Sequence, residues 1–235
     1  MNIFFKHHRI GYRQNPFSAL TRQEWGEIGF IPKTFRKMLF DSPRHVQLIG
    51  RIGAGKTSLL HRIEDELSHS KLSIIYEYIP EGRSKILSPL NAADLFLLDE
   101  AQRLNWWQRR KWLRQIGDPN QCRCIFTSHQ DLSTYFVDYN LPLVTLNVDD
   151  IVSPSHYAEW LENRLQFFVI DPTQRVTISE DAVRFLYETF QTDMRSAEYF
   201  LYEVFEDLET AVVLTPHHLV DFLQKYPHRP TSDHH

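Results

Sequence analysis

Residues Gly50–Thr57 read "GRIGAGKT", following the apolar run His45–Ile49, "HVQLI", and leading into "SLLHRIEDEL" from Ser58. The spacing G-x-x-x-x-G-K-[ST] is complete at Gly50, Gly55, Lys56 and Thr57. At average residue usage it arises by chance in about one chain in a hundred of this length. The context is also the one the chemistry needs, a strand before and a helix after. Glycines let backbone N–H groups turn inward on a β-phosphate, and the helix N-terminus adds its positive end. Lys56 then neutralises the β- and γ-oxygens, and the Thr57 hydroxyl holds Mg²⁺. The candidate nucleotide-binding residues are Gly50, Arg51, Ile52, Gly53, Ala54, Gly55, Lys56, Thr57 and Ser58. A tight strand-to-helix turn with no ligand is the plainer alternative.

Two segments further on, "DLFLLDEAQ" is an apolar strand that ends in Asp99 and Glu100. A parallel sheet brings that end beside the phosphates, with Asp99 on the Mg²⁺ through water and Glu100 polarising the attacking water. The run 72–79 lies between the two motifs and points to the additional-strand class of P-loop ATPases. No N/T-K-x-D base-reading motif occurs in the sequence, which favours ATP over GTP. The strand "CRCIF" runs into "TSHQDL", so Ser128 or His129 is placed to sense phosphate or position water. His129 is preferred. Capping of the next helix by Ser128 or Asp131 is the alternative.

The rest of the chain supplies the scaffold. At 235 residues, 42% hydrophobic and 24% charged, it has the composition of a globular protein with a main domain and an appendage. No apolar stretch is long enough to span a membrane, and the N-terminus lacks a secretory h-region, so a cytoplasmic location is expected. The two cysteines, Cys122 and Cys124, are read as buried thiols that do not bridge, taken to lie on opposite faces of a strand. Strands are expected at 45–49, 72–79, 94–98, 122–127 and 143–148, alternating with helical patterns as in a parallel α/β sheet. From Ser153 the pattern turns helical, with segments opening on Ser153, Ser179 and Asp193, all good N-caps. A short helix, "TPHHLVDFLQKY", and a tail at 226–235 follow. The net charge of −4 hides a basic start (Lys6, Arg9, Arg13, Arg22, Lys33, Arg36, Lys37) and an acidic stretch at 149–209. That polarity suits DNA on the basic half or head-to-tail self-association.

With these residues in place the chain resembles a AAA+ ATPase over most of its length. "YRQNPFSALTRQEWGEIGFIP" resembles the entry segment before the P-loop in general secretion pathway A and TniB-like ATPases, and "LLDEAQRL" resembles their Walker B segment. The resemblance puts Asn15, Pro16 and Phe17 near the adenine; a proline-anchored turn with a buried Phe is the alternative. "ISEDAVRFLYETFQTDMRSAEYFLYEVF" is similar to the lid of origin-recognition and TniB/TnsC-type ATPases. There Asp193-Met194-Arg195 stands in the place of "DxR", with Thr192 where the family has glycine. Arg195 is thereby implied to be the sensor 2 arginine that reaches the γ-phosphate. The stretch "DLSTYFVDYNLPL" carries no Arg or Lys for an arginine finger, which leaves Arg109, Arg110 and Arg114 in "NWWQRRKWLRQIGD". An exposed basic face beside Trp106, Trp107, Trp112 and Leu113 is the competing reading, and nucleic acid is one ligand for it.

The expected architecture is an α/β P-loop NTPase of AAA+ type with a five-stranded parallel sheet, followed by a small all-helical lid. Residues 1–43 form an entry segment packing on the ATPase core, 44–150 the core and 151–225 the lid. The expected activity is Mg²⁺-dependent ATP hydrolysis at Glu100, Lys56, His129 and Arg195, driving a switch that acts on a protein partner. The resemblance adds DNA, as in transposition, and a homo-oligomer. A small-molecule kinase and an assembly module without hydrolysis are the competing classes.

Overall fold

The computed structural model describes residues 6–118 and 122–225. The expected tail at 226–235 lies outside the described residues. Two compact units form, one from Thr21 to Ile151 and one from the chain up to Leu20 together with the chain from Val152 onward. The covalent chain therefore passes between them twice.

In the first unit, β1 (His45–Ile49), β2 (Ile74–Tyr78), β3 (Leu95–Asp99), β4 (Arg123–Ser128) and β5 (Leu143–Asn147) make a parallel sheet in the order β2-β3-β4-β1-β5. Val46 lies opposite both Ile125 and Val144, and Leu97 also lies opposite Ile125. The strand inserted between β1 and β3 is therefore β4, and the 72–79 segment is an edge strand. Order along the chain does not set order in a parallel sheet, because each strand returns through a crossover.

The helices of this unit are α1 (Arg22–Ile28), α2 (Lys33–Arg36), α3 (Lys56–Leu67), α4 (Trp106–Ile116) and α5 (Ser133–Asp138). Strand periodicity of two splits the core between two faces. Val46, Leu48, Leu95, Leu97 and Ile125 join Leu59, Leu60 and Ile63 of α3, whereas Phe96, Leu98 and Phe126 join Trp112, Leu113 and Ile116 of α4. Cys122 and Cys124 both enter the second cluster, and both are free. Placing them on opposite faces was wrong, since residues two apart in a strand share a face; burial raises both thiol pKa values. Thr21 and Glu24 close a capping box on α1. Arg123 donates to the carbonyls of Met38 and Leu39 beyond α2, satisfying acceptors that a helix end leaves open.

The second unit holds α6 (Pro154–Phe168), α7 (Glu180–Phe190), α8 (Met194–Asp207) and α9 (Pro216–Lys225). The expected caps are present: Ser153, Ser179 and Asp193 accept from the backbone N–H of His156, Ala182 and Ser196. The unit is not wholly helical, because β6 (Thr177–Ile178) and β7 (Val213–Leu214) form a short parallel pair. Residues 6–20 belong here, whereas the expected entry segment was a single piece on the ATPase core. Arg13 N–H donates to Phe168 O at 2.9 Å, Ile170 N–H to Gly11 O at 2.9 Å, and the Tyr12 hydroxyl to Val176 O at 2.6 Å. Gly11 allows that approach: its φ is +87°, and a Cβ would stand 2.7 Å from Gln174 O and 2.8 Å from Arg175 Cα. Only glycine takes this conformation without steric cost. Fully buried Arg164 pairs with Glu198 and donates to Ser18 O at 3.2 Å, tying α6 to α8 and to the N-terminal segment. Among the described residues no helix is long and apolar enough to cross a membrane.

Candidate active site

The site forms at the carboxyl ends of β1, β3 and β4, where an open parallel sheet presents its loops. Gly55 takes a left-handed conformation, φ 91° and ψ 14°, immediately before Lys56 opens α3. The turn points Lys56 back over the loop. Its ammonium donates to Gly50 O and Arg51 O, each at 2.7 Å, and sits 3.1 Å from His129 Nδ1. His129 Nδ1 also lies 3.2 Å from Gly50 O, and its Nε2 lies 3.2 Å from Glu100 Oε1. His129 therefore bridges Lys56 of the glycine-rich loop and the Glu100 carboxylate. Of the two residues left open by sequence, His129 enters the site; Ser128 is buried and its hydroxyl accepts from Gln130 N–H at 3.0 Å. Asp131 likewise takes a structural part, accepting from Ser133 N–H and from the Gln47 amide.

Asp99 sits at the end of β3 with 1% of its surface exposed. The Thr57 hydroxyl donates to its Oδ2 at 3.0 Å and the Tyr76 hydroxyl to the same oxygen at 3.1 Å, while Thr127 donates to Oδ1. Desolvation, followed by the Asp99 charge, pushes the Tyr76 phenol well above its ordinary range, so it stays a donor. The pairing of one carboxylate with the P-loop hydroxyl fits a magnesium ion, which takes hard oxygen ligands and fills the rest of its shell with water and phosphate. Among the described residues no three His, Cys, Asp or Glu converge into a metal cage, and such a site requires none.

Glu100 adopts φ 68° and ψ 44°, an unusual conformation for a side chain of its size. Its N–H donates to Thr127 Oγ1 at 2.9 Å. The carboxylate is held by Gln102 Nε2 at 2.7 Å, by Arg103 at 3.2 Å and by His129. Arg103 continues outward to the Tyr78 hydroxyl and Ile79 O. Thr127, Gln102, Arg103 and Tyr76 were not anticipated. A polar Thr127 in an apolar strand was the one available signal. Tyr76 becomes recognisable only once β2 and β3 pair, whereas Gln102 and Arg103 reach Glu100 from two and three residues along the chain.

The remaining candidates separate. Asn15 donates to Tyr202 O and Glu206 Oε1 and accepts from Phe17 N–H. Phe17 packs edge-on against Trp160 and Phe205, and Pro16 is buried beside them. Their printed contacts thus fall inside the second unit. Arg195 is the second residue of α8, exposed and just past the Asp193 cap. Arg109 lies over the Tyr135 ring and donates to Gln102 O and Leu104 O, each at 3.1 Å. Arg110 donates to the Tyr139 hydroxyl and covers Trp106, whereas Arg114 is exposed.

No protein-family model and no curated protein matches the sequence. Among solved structures, the chain is similar to two point mutants of RuvB from Thermotoga maritima. With the lysine-to-arginine mutant it shares 16% identity at TM-score 0.54, covering 77% of this chain and 62% of that one. With the threonine-to-valine mutant it shares 16% identity at TM-score 0.53, covering 77% and 61%. It is also similar to AMPPCP-bound DnaA from Aquifex aeolicus, with 12% identity and TM-score 0.56, covering 84% and 64%. The chain spans under two thirds of the length of each. At this identity the likeness concerns architecture: the chain shares the α/β fold of these structures, built here on a five-stranded parallel sheet.

Proposed function

We propose that the chain is an ATP-binding and ATP-hydrolysing switch that acts on a protein partner. The carrying observation is the connected path Lys56–His129–Glu100, beside the Thr57–Asp99 pair. A phosphate-neutralising cation, a water-polarising carboxylate and a hard-oxygen metal pair stand together, which phosphoryl transfer to water requires. Bound magnesium, held by Thr57 and Asp99, supplies charge neutralisation of the phosphate oxygens. Lys56 exchanges the Gly50 and Arg51 carbonyls for phosphate oxygens. Glu100 orients the nucleophilic water and takes its proton, and His129 reports to Glu100 whether Lys56 has moved. Arg195, an exposed cation at the start of α8, takes the sensor role that the sequence resemblance implies for it. The protein partner, with DNA beside it as in transposition-type ATPases, rests on the sequence resemblance.

The test is phosphate release from Mg-ATP with no acceptor added. Glu100→Gln should keep nucleotide affinity while turnover falls by at least about a hundredfold, and Arg195→Ala should lower turnover without unfolding the chain. Turnover by Glu100→Gln at the wild-type rate overturns the reading, as does strict dependence on a small-molecule acceptor. Unchanged nucleotide affinity and partner binding in Lys56→Ala points instead to an assembly module.

A further inference from the structure

Helix α4 carries two faces with different uses. Trp112, Leu113 and Ile116 point into the core, and Trp112 packs edge-on against Phe126 and Phe136. The opposite face holds Trp106, 50% exposed, and Trp107, 73% exposed, with ring centroids 4.5 Å apart and planes at 78°. The Arg110 guanidinium lies 4.6 Å over Trp106. Together with Lys111 and Arg114 these residues line a cleft of about 590 Å³. Leaving two indoles in water costs free energy, since apolar surface is normally buried.

From this face we infer a binding surface for single-stranded nucleic acid, on which an unpaired base stacks against Trp107 and phosphates meet Arg110, Lys111 and Arg114. The composition chooses this occupant. Two indoles, three cations, Gln115 and Asp118 line the cleft, and among the described residues no aliphatic side chain does. A protein partner's apolar core would find no aliphatic surface to pack on, whereas stacked bases need only flat π-faces and cations. The charge complements a polyanion, and residues four apart on a helix follow one side of it. A duplex keeps its bases stacked on one another and leaves Trp107 unused. This surface stands on α4 alone and is independent of ATP hydrolysis.

The test uses the full-length protein with a fluorescein-labelled oligo-dT 20-mer, read by anisotropy and by quenching of indole emission, with a 20-base-pair duplex alongside. The wild type should bind the single strand more tightly than the duplex, with quenching. Three cations facing a single strand give a log–log salt slope of about −2. Trp107→Ala should weaken single-strand binding at least about fivefold, and Lys111→Glu should make the slope shallower by about 0.7. Both side chains are exposed, and fluorescent-ATP affinity serves as the control for folding. Absence of binding at low salt overturns the inference, as does equal affinity in the wild type and Trp107→Ala. Loss of self-association in Trp107→Ala, with oligo-dT binding unchanged, assigns the face to a second copy and overturns it as well.

Discussion

Replacing Thr127 by Val tests how the site is held. Thr127 is fully buried at the end of β4, and its hydroxyl accepts from Glu100 N–H while donating to Asp99. Valine keeps the volume and removes both bonds. The neutral bond is worth about 1 kcal/mol and the one to a charged carboxylate about 1.5–3 kcal/mol, so the gross loss is about 2.5–4 kcal/mol. Part of it returns if Glu100 leaves its left-handed conformation, which itself costs roughly 1–2 kcal/mol. A net destabilisation of about 2 kcal/mol in urea titration is expected, a large fraction of an ordinary domain's stability. The relaxation also moves the Glu100 carboxylate off the attack line, and misplacement of about 1 Å is worth roughly a hundredfold in rate. Single-turnover ATP cleavage should therefore fall about a hundredfold, with nucleotide affinity within a few-fold of wild type. Thr127→Ser, which keeps the hydroxyl, should restore most of both. The reasoning fails if Thr127→Val cleaves ATP at the wild-type rate, or if the serine variant is as damaged as the valine one.

Gly11→Ala places a methyl 2.7 Å from Gln174 O at φ +87°, and a loss of about 2 kcal/mol or more is expected in thermal or urea unfolding; an unchanged midpoint would show that the N-terminal segment does not need that approach. Acid should weaken the sheet unit through His45. Burial first, and the Arg123 charge second, lower its pKa to about 4, and its Nδ1 accepts from Cys124 N–H. The unfolded histidine binds its proton near pH 6.5, so between about pH 6.5 and 4 the unfolded state holds more protons and stability falls as pH falls. On the order of 2 kcal/mol should be lost between pH 7 and 5 in urea titrations, and His45→Gln should flatten that part of the profile.

The elements written in contiguous residues were legible in the sequence. The P-loop, Asp99-Glu100, the strand intervals and the caps at Ser153, Ser179 and Asp193 depend on local spacing, because a turn, a cap or an apolar period is satisfied by neighbours along the chain. The fold class followed from the alternation of those elements. Tertiary structure decided what depends on distant pairing. Insertion of β4 between β1 and β3 is what carries Thr127 to Asp99 and His129 to Lys56 and Glu100, across separations that leave no periodic trace. Residues 6–20 fold with the second unit because Gly11 and Tyr12 hydrogen-bond to residues 169–176. The family resemblance had implied a place near the adenine for Asn15, Pro16 and Phe17. The tryptophans of α4 were visible as letters, but only the packed core shows that Trp112 is consumed by it and that Trp106 and Trp107 are left outside. Local chemistry names the parts of this site, and sheet order determines which of them meet.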